Sequence, residues 1–125
     1  MTCYLLATTS VHTTAAAADY LADGLTAEDD VLVLAVDEPG VPARDAGDAA
    51  NVARSRLLPA TVTVLEREGD PAEAIRAVLA AEDVDELVVG PRRGDPEADA
   101  EVGSTTRALL GTVDVPVVVV PAPDL

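Results

Sequence analysis

The sequence feature that most constrains the fold is an uninterrupted apolar run over residues 31–36, V-L-V-L-A-V. A strand with one face in water alternates apolar and polar residues. A continuous run therefore predicts a strand that is buried on both faces, which is typical of parallel sheets. Further short apolar segments predict four more strands, at residues 3–8, 61–65, 87–89 and 115–120.

Segments with helical character separate these strands. They lie at residues 13–25, 43–58, 72–81 and 105–110, and the third follows Asp70 as N-cap and Pro71 at the first helical position. Strands and helices thus alternate along the whole chain. We therefore expect a single α/β domain over residues 1–125, an open five-stranded parallel sheet with helices on both faces and right-handed crossovers.

The strand order places the expected ligand site. In open α/β sheets, ligands bind beyond the carboxyl ends of the strands, at the point where the strand order reverses. With the order 3-2-1-4-5, that point lies between the first and fourth strands. The turns at residues 8–10 and 90–94 would then face each other across it.

In the same order, the last strand lies at an edge of the sheet. It contains four consecutive valines, Val117, Val118, Val119 and Val120. An open apolar edge of this kind invites uncontrolled pairing with other chains. A homodimer that pairs the two edges would remove the problem, so we expect a homodimer through the last strand.

The charge of the chain excludes several classes of partner. The sequence has 23 acidic residues against 8 basic ones, a formal net charge of −15, and every basic residue is arginine. Such a surface repels phosphate backbones and anionic lipids, so neither nucleic acid nor a membrane is an expected partner. An acid-rich, lysine-free composition is typical of an extreme halophile. At about 1 M salt the Debye length is roughly 3 Å, so the repulsion between the carboxylates is screened. An acidic protein from a GC-rich genome is the alternative.

The first residues are not expected to act as a targeting signal. The N-terminal segment lacks a basic region, and no stretch approaches the roughly 20 apolar residues of a membrane span. Cys3 is the single cysteine and is expected to fill the first strand as a small apolar residue. We expect a soluble cytoplasmic protein.

The clearest functional signal lies in residues 86–106, E-L-V-V-G-P-R-R-G-D-P-E-A-D-A-E-V-G-S-T-T. The predicted fourth strand ends before Gly90, and Gly103 and Ser104 precede the predicted fourth helix. A helix start presents unpaired N–H groups at the positive end of the helix dipole, and glycines let the backbone approach an anion closely. The stretch therefore predicts a phosphate site.

The chain resembles the universal stress protein family over nearly its whole length. The resemblance rests on the strand order, on V-V-G-P-R-R-G at residues 88–94, and on a Gly-Ser helix start before V-D-V-P-V-V-V-V. In that family the fourth strand leads into the pattern Gly, two residues, Gly, nine residues, Gly, Ser or Thr, which holds ATP phosphates. Gly90, Gly103 and Ser104 match this pattern at the family distance. Arg93 stands at the middle glycine, and Gly94 follows one residue late.

The resemblance implies a non-catalytic stress-response protein that binds an adenine nucleotide, ATP with Mg²⁺. It places the phosphates on loop and helix-start residues, namely Gly90, Arg92, Arg93, Gly94, Gly103, Ser104 and Thr105. It places adenine against backbone groups at the end of the second strand, at Ala35 and Val36, with Thr8 and Thr9 in the first turn. ATP-binding members usually carry an Asp where this sequence has Thr8, which supplies no charge for a metal.

Two other functions stay open at this point. Arg92 and Arg93 favour a bound phosphate, but four nearby acids oppose it, Asp95, Glu97, Asp99 and Glu101. A family member without nucleotide binding, which acts as a dimeric interaction module, is therefore one alternative. The other is an enzyme of this architecture that hydrolyses or transfers phosphoryl groups, although the sequence shows no Walker A motif, no G-x-S-x-G motif and no evident base or metal-ligand set.

The remaining polar candidates have simpler interpretations. His12, the single histidine, opens the first helix and is expected to take a surface or capping role. The paired carboxylates Asp29–Asp30 and Glu82–Asp83 precede strands in turns, and we expect them to be solvated.

Overall fold

The predicted α/β architecture is confirmed by a computed structural model, which describes residues 2–8, 11–37, 43–57, 60–89, 109 and 111–120. Within these residues, five parallel strands form one sheet in the order β3-β2-β1-β4-β5. The strands are β1 (Cys3–Thr8), β2 (Asp30–Asp37), β3 (Thr61–Glu68), β4 (Glu86–Val89) and β5 (Val117–Val119). The helices are α1 (Val11–Ala22), α2 (Ala43–Arg56) and α3 (Pro71–Ala81).

The sheet separates two apolar clusters, and the central strand β1 contributes to both. Leu6 is fully buried on the side covered by α1 and α2, where it packs with Val31 and Val33. Leu5 is fully buried on the side covered by α3, where it packs with Ile75. Successive side chains of a strand point to opposite faces, so an apolar run without alternation satisfies both clusters at once. The core is aliphatic, as the lack of Phe and Trp requires.

Two strands, β3 and β5, differ from the sequence-based expectation by more than one residue at an end. The third strand was predicted to end at residue 65, but β3 continues through Glu66 and Arg67 to Glu68, whose side chains are exposed. Edge strands tolerate such charged residues, which an apolar pattern does not detect. The fifth strand is shorter than predicted, because β5 begins only after Pro116, which has no N–H to donate. The predicted helix at residues 105–110 lies outside the described residues except for Leu109, which is helical and fully buried.

The predicted start of α3 is confirmed in detail. Asp70 is the N-cap, and its Oδ2 accepts a hydrogen bond of 3.0 Å from the main-chain N–H of Glu73. Pro71 occupies the first helical position, where a missing N–H costs nothing. Gly69 precedes the cap with φ of 107°, a conformation that favours glycine.

No helix of the described residues is long and apolar enough to cross a bilayer.

Two carboxylates hold the amino-terminal edge of the sheet, and one of them corrects a prediction. Asp29 was expected to be solvated, but it is only 6% exposed. Its Oδ1 accepts from the N–H of Thr2 and its Oδ2 from the N–H of Thr26, both at 3.0 Å. Asp85 Oδ2 accepts from the N–H of Cys3 at 2.8 Å. The two carboxylates therefore accept main-chain N–H groups at the start of β1 that no neighbouring strand carbonyl accepts.

Candidate functional site

The site suggested by the sequence lies where the carboxyl ends of β1, β2 and β4 meet. β1 is the central strand and pairs with β2 on one side and β4 on the other. Its last residues are in register with both neighbours, Ala7 opposite Val89 and Thr8 opposite Ala35. The order of the strands reverses between β1 and β4, so a ligand crevice is expected directly beyond Thr8 and Val89.

The strand β2 reaches further toward this crevice than β1 does. Its pairing with β1 ends at Ala35, whereas its pairing with β3 continues through Val36 and Asp37. The end of β2 is therefore flanked by β3 on one side and by the crevice side of the sheet on the other.

Main-chain alternation decides which residue of β2 faces the crevice. The N–H of Asp30 donates to the carbonyl of Thr2 in the direction of β1, and the carbonyl of Asp29 accepts from Thr61 in the direction of β3. Successive residues of a strand direct their N–H and C=O groups to opposite sides. The even-numbered Val36 therefore directs its carbonyl toward β1, beyond the last paired residue, while Ala35 directs its groups toward β3. Of the two predicted residues, Val36 is the one whose carbonyl faces the crevice.

The side chains at this end of β2 are apolar and buried. Ala35 is 3% exposed and lies on the α1–α2 side, and Val36 is 8% exposed and lies on the α3 side. At the end of β3 the exposed side chains alternate in charge through Glu66, Arg67 and Glu68. Arg67 Nη1 donates to the carbonyl of Glu66 at 2.8 Å, which keeps that guanidinium beside its own strand. This end of β2 thus packs its apolar side chains into the core and leaves main-chain polar groups to face the crevice.

The other wall of the crevice is joined to β5. The carbonyl of Val89, the last residue of β4, accepts from the N–H of Val120 at 2.9 Å. At the other end of the same pairing, the N–H of Leu87 donates to the carbonyl of Pro116, also at 2.9 Å. Val89 therefore has β1 on one side and the edge strand on the other.

Most of the predicted nucleotide-binding residues lie outside the described residues. These are Thr9, Gly90, Arg92, Arg93, Gly94, Gly103, Ser104 and Thr105. Thr8 is the last residue of β1, but its side chain lies outside the described part of the chain, as does the side chain of His12. The described part brings together Thr8, Ala35 and Val36, and it fixes Val89 next to the start of the glycine-containing stretch.

The amino-terminal edge has a different character from the carboxyl-terminal edge. Burial and the neighbouring carboxylates, first Asp30 and then Asp85, raise the pKa of the Cys3 thiol. A raised pKa favours the protonated, unreactive thiol at neutral pH, which fits the predicted structural role of Cys3. Across the described ranges, no group of three or more His, Cys, Asp or Glu side chains is arranged to hold a metal ion.

Comparisons with known proteins agree with this geometry. The family model described as the universal stress protein family matches residues 5–121. Among solved structures, hypothetical protein MJ0577 is similar with a TM-score of 0.81 at 19% identity, covering 99% of this chain and 98% of that one. Hypothetical protein PH0823 gives 0.71 at 19% identity with the same coverage. Universal stress protein UspA from Lactobacillus plantarum gives 0.68 at 18% identity, covering 95% and 97%. At these identities the structural likeness shows the fold, and a search of curated proteins found no match.

Proposed function

The chain belongs to the universal stress protein family, whose model matches residues 5–121, and from this premise we propose that it is a non-catalytic, homodimeric module that binds an adenine nucleotide. The observation that carries the nucleotide proposal is the position of the glycine-containing stretch. It begins directly after Val89, which lies beside β1 at the point where the strand order reverses. Phosphates and base would then bind at neighbouring strand ends, as ligands of open α/β sheets do.

The base would be recognised by main-chain groups. The carbonyl of Val36 is directed toward the crevice, and adenine carries an amino group that could donate a hydrogen bond to it. Guanine presents a carbonyl oxygen at the corresponding ring position, so two acceptors would meet. Adenine nucleotides are therefore the proposed class, and discrimination against guanine nucleotides is its signature.

The phosphates would be bound by the stretch that begins at Gly90. We propose that Gly90, Gly103 and Ser104 hold them, together with Arg92, Arg93, Gly94 and Thr105. Thr8 and Thr9 would line the crevice from the end of β1. Because Thr8 supplies no carboxylate, Mg²⁺ would be held by the phosphates of the nucleotide rather than by this strand end.

Calorimetric titration with ATP–Mg²⁺ in molar KCl tests the nucleotide proposal. We expect saturable binding, with GTP–Mg²⁺ weaker by about tenfold or more, since one unsatisfied buried polar group costs about 1–3 kcal/mol. Ser104→Ala should weaken ATP by a similar factor. Ser55→Ala is the matched control, because Ser55 is exposed in the last turn of α2, where its Oγ donates to the carbonyl of Val52.

Two outcomes would redirect the proposal. Absence of binding heat, with no nucleotide released when the purified protein is denatured, would favour a dimeric interaction module without a nucleotide. Turnover of phosphate esters that is lost in Ser104→Ala would favour a phosphoryl-transfer enzyme instead.

The dimer is proposed to form through the free edge of β5. Pro116 and Val120 direct their main-chain groups toward β4, so Val117 and Val119 direct theirs outward. No described strand pairs with that side of β5. All three side chains of the strand are half-buried, which leaves apolar surface for a second copy to cover.

This alternation also specifies the register of the dimer. In an antiparallel pair about a two-fold axis, Val117 of one chain would exchange two hydrogen bonds with Val119 of the other. By symmetry, Val119 of the first chain would exchange two with Val117 of the second. Val118 would then face its own copy as a non-hydrogen-bonded pair, with a Cα–Cα distance of about 4.5 Å. Light scattering in molar KCl should give a mass near twice 12.8 kDa, and a mass of one chain would refute the dimer.

A further inference from the structure

The crevice and the edge strand share one residue. Val89 pairs with Ala7 on the β1 side and accepts the N–H of Val120 on the β5 side. β5 is only three residues long, and β4 is its single partner among the described strands. Fixing β5 therefore also fixes Val89, which is in register with Ala7 of β1 at the β4 side of the crevice.

A second connection runs through the packing on the α3 side. Val89 and Leu109 are both buried in that cluster, and the half-buried valines of the edge segment, Val115, Val117 and Val119, pack against it. Leu109 is tied to the chain that leads into β5, since its carbonyl accepts both the N–H and the Oγ of Thr112, at 3.0 and 2.8 Å. The residues before and after the glycine-containing stretch thus belong to the same apolar cluster as the edge strand.

From this arrangement we propose that occupation of the crevice by an adenine nucleotide and association of two chains through β5 are thermodynamically linked, each strengthening the other. The inference rests on the proposed function. A three-residue strand with one neighbour loses conformational entropy when it is fixed, and a partner strand would supply hydrogen bonds that offset this loss. When the dimer has already fixed β4 and β5, binding of a nucleotide costs less conformational entropy. By reciprocity, a bound nucleotide lowers the entropy cost of forming the dimer.

Variants that hold the chain in each state allow a direct test. Cys3→Ser combined with Val118→Cys should form a disulfide across the two-fold axis, because the expected Cα–Cα distance of about 4.5 Å lies within disulfide range. Val119→Pro removes an outward N–H and should give the monomer, while the ladder to β4 keeps its hydrogen bonds. The disulfide of the double variant can also be reduced, so that the same chain is measured with and without the covalent bond between the two copies.

ATP–Mg²⁺ affinity is then measured by calorimetry in molar KCl. We expect the oxidised double variant to bind at least about fivefold more tightly than Val119→Pro, the lower end of typical coupling. In the wild type, saturating ATP–Mg²⁺ should lower the dimer dissociation constant by the square of the factor that separates the ATP affinities of the dimeric and monomeric forms, because each dimer binds two nucleotides. The control is Val64→Pro, a half-buried valine whose N–H is directed outward from the opposite edge strand β3, and it should bind as the wild type does.

The outcomes separate this inference from the proposed function. Equal ATP affinity in the locked dimer, its reduced form and the Val119→Pro monomer would overturn the linkage while leaving the nucleotide site in place. No ATP binding by any form would overturn the nucleotide site, and the linkage with it.

Discussion

Val119→Pro is expected to raise the dissociation constant of the dimer by at least about thirtyfold. In the proposed register the N–H of Val119 donates to Val117 of the other chain, and two-fold symmetry makes this two hydrogen bonds per dimer. Each is worth about 1 kcal/mol net, and about 1.4 kcal/mol corresponds to a factor of ten. The proline ring adds steric exclusion at the edge. The ladder to β4 is preserved, because Val118 and Val120 are the residues that direct their groups to that side.

The matched control distinguishes the interface from general damage to the sheet. Val64 lies in the other edge strand, is half-buried like Val119, and directs its N–H away from the sheet, since Thr61 donates inward to Asp29. Sedimentation equilibrium in molar KCl should show a monomer for Val119→Pro and an unchanged dimer for Val64→Pro. The opposite pattern would place the interface at β3, and two unchanged dimers would place it away from both edges.

Asp29→Asn is expected to be the most destabilising replacement of a described carboxylate. The Asp29 side chain is buried and accepts one main-chain N–H on each oxygen, from Thr2 and from Thr26. An amide offers one acceptor and one donor, so one of these N–H groups would face a donor and lose its partner. Asp30→Asn is the control, because Asp30 is adjacent in sequence and half-buried, and its N–H, rather than its side chain, bonds to Thr2.

The effect of Asp29→Asn should depend on pH in a defined direction. The N–H of Thr26, followed by that of Thr2, lowers the pKa of Asp29 against the opposing effect of burial. A carboxyl group whose folded pKa lies below its unfolded value stabilises the fold above the unfolded pKa, about 3.9. This contribution is lost as pH falls through the folded pKa.

Thermal unfolding at constant KCl measures this dependence. The difference in unfolding midpoint between wild type and Asp29→Asn should be large at pH 7 and should shrink below about pH 4. A difference that stays constant across this range would show that Asp29 acts through packing rather than through its charge.

The prediction of Asp29 as solvated failed because one of its two partners, Thr2, is distant in the chain. An acidic pair before a strand has the composition of an exposed turn, and nothing local distinguishes the two residues. Thr2 precedes Asp29 by 27 residues, and only the pairing of β1 with β2 brings its N–H to the carboxylate. Local signals were more reliable where both partners are local, as at Asp70 and Glu73.

The strands show the same distinction. The apolar run at residues 31–36 predicted β2 to within one residue at each end. The charged end of β3 has no such apolar pattern. Residues 66–68 belong to the sheet because they pair with residues 35–37 of β2, and the local sequence does not show this pairing.

The sequence predicts where the candidate site lies but not which groups would contact a ligand there. Strand order and glycine spacing predict it at the ends of the first and fourth strands. The choice of Val36 over Ala35 depends on which residue of β2 directs its main chain toward β1, and that parity is set by long-range register. No composition or periodicity within β2 carries this information.

The central claim is that an adenine nucleotide binds at the carboxyl edge of the sheet, beside Val36 and Val89. Amide ¹H–¹⁵N spectra recorded in molar KCl during titration with ATP–Mg²⁺ test it most directly. Saturable shifts should appear at Val36, Asp37 and Val89, while the amides of Thr2 and Cys3 at the opposite edge stay unchanged. Shifts confined to that opposite edge, or none at millimolar ATP, would contradict the account.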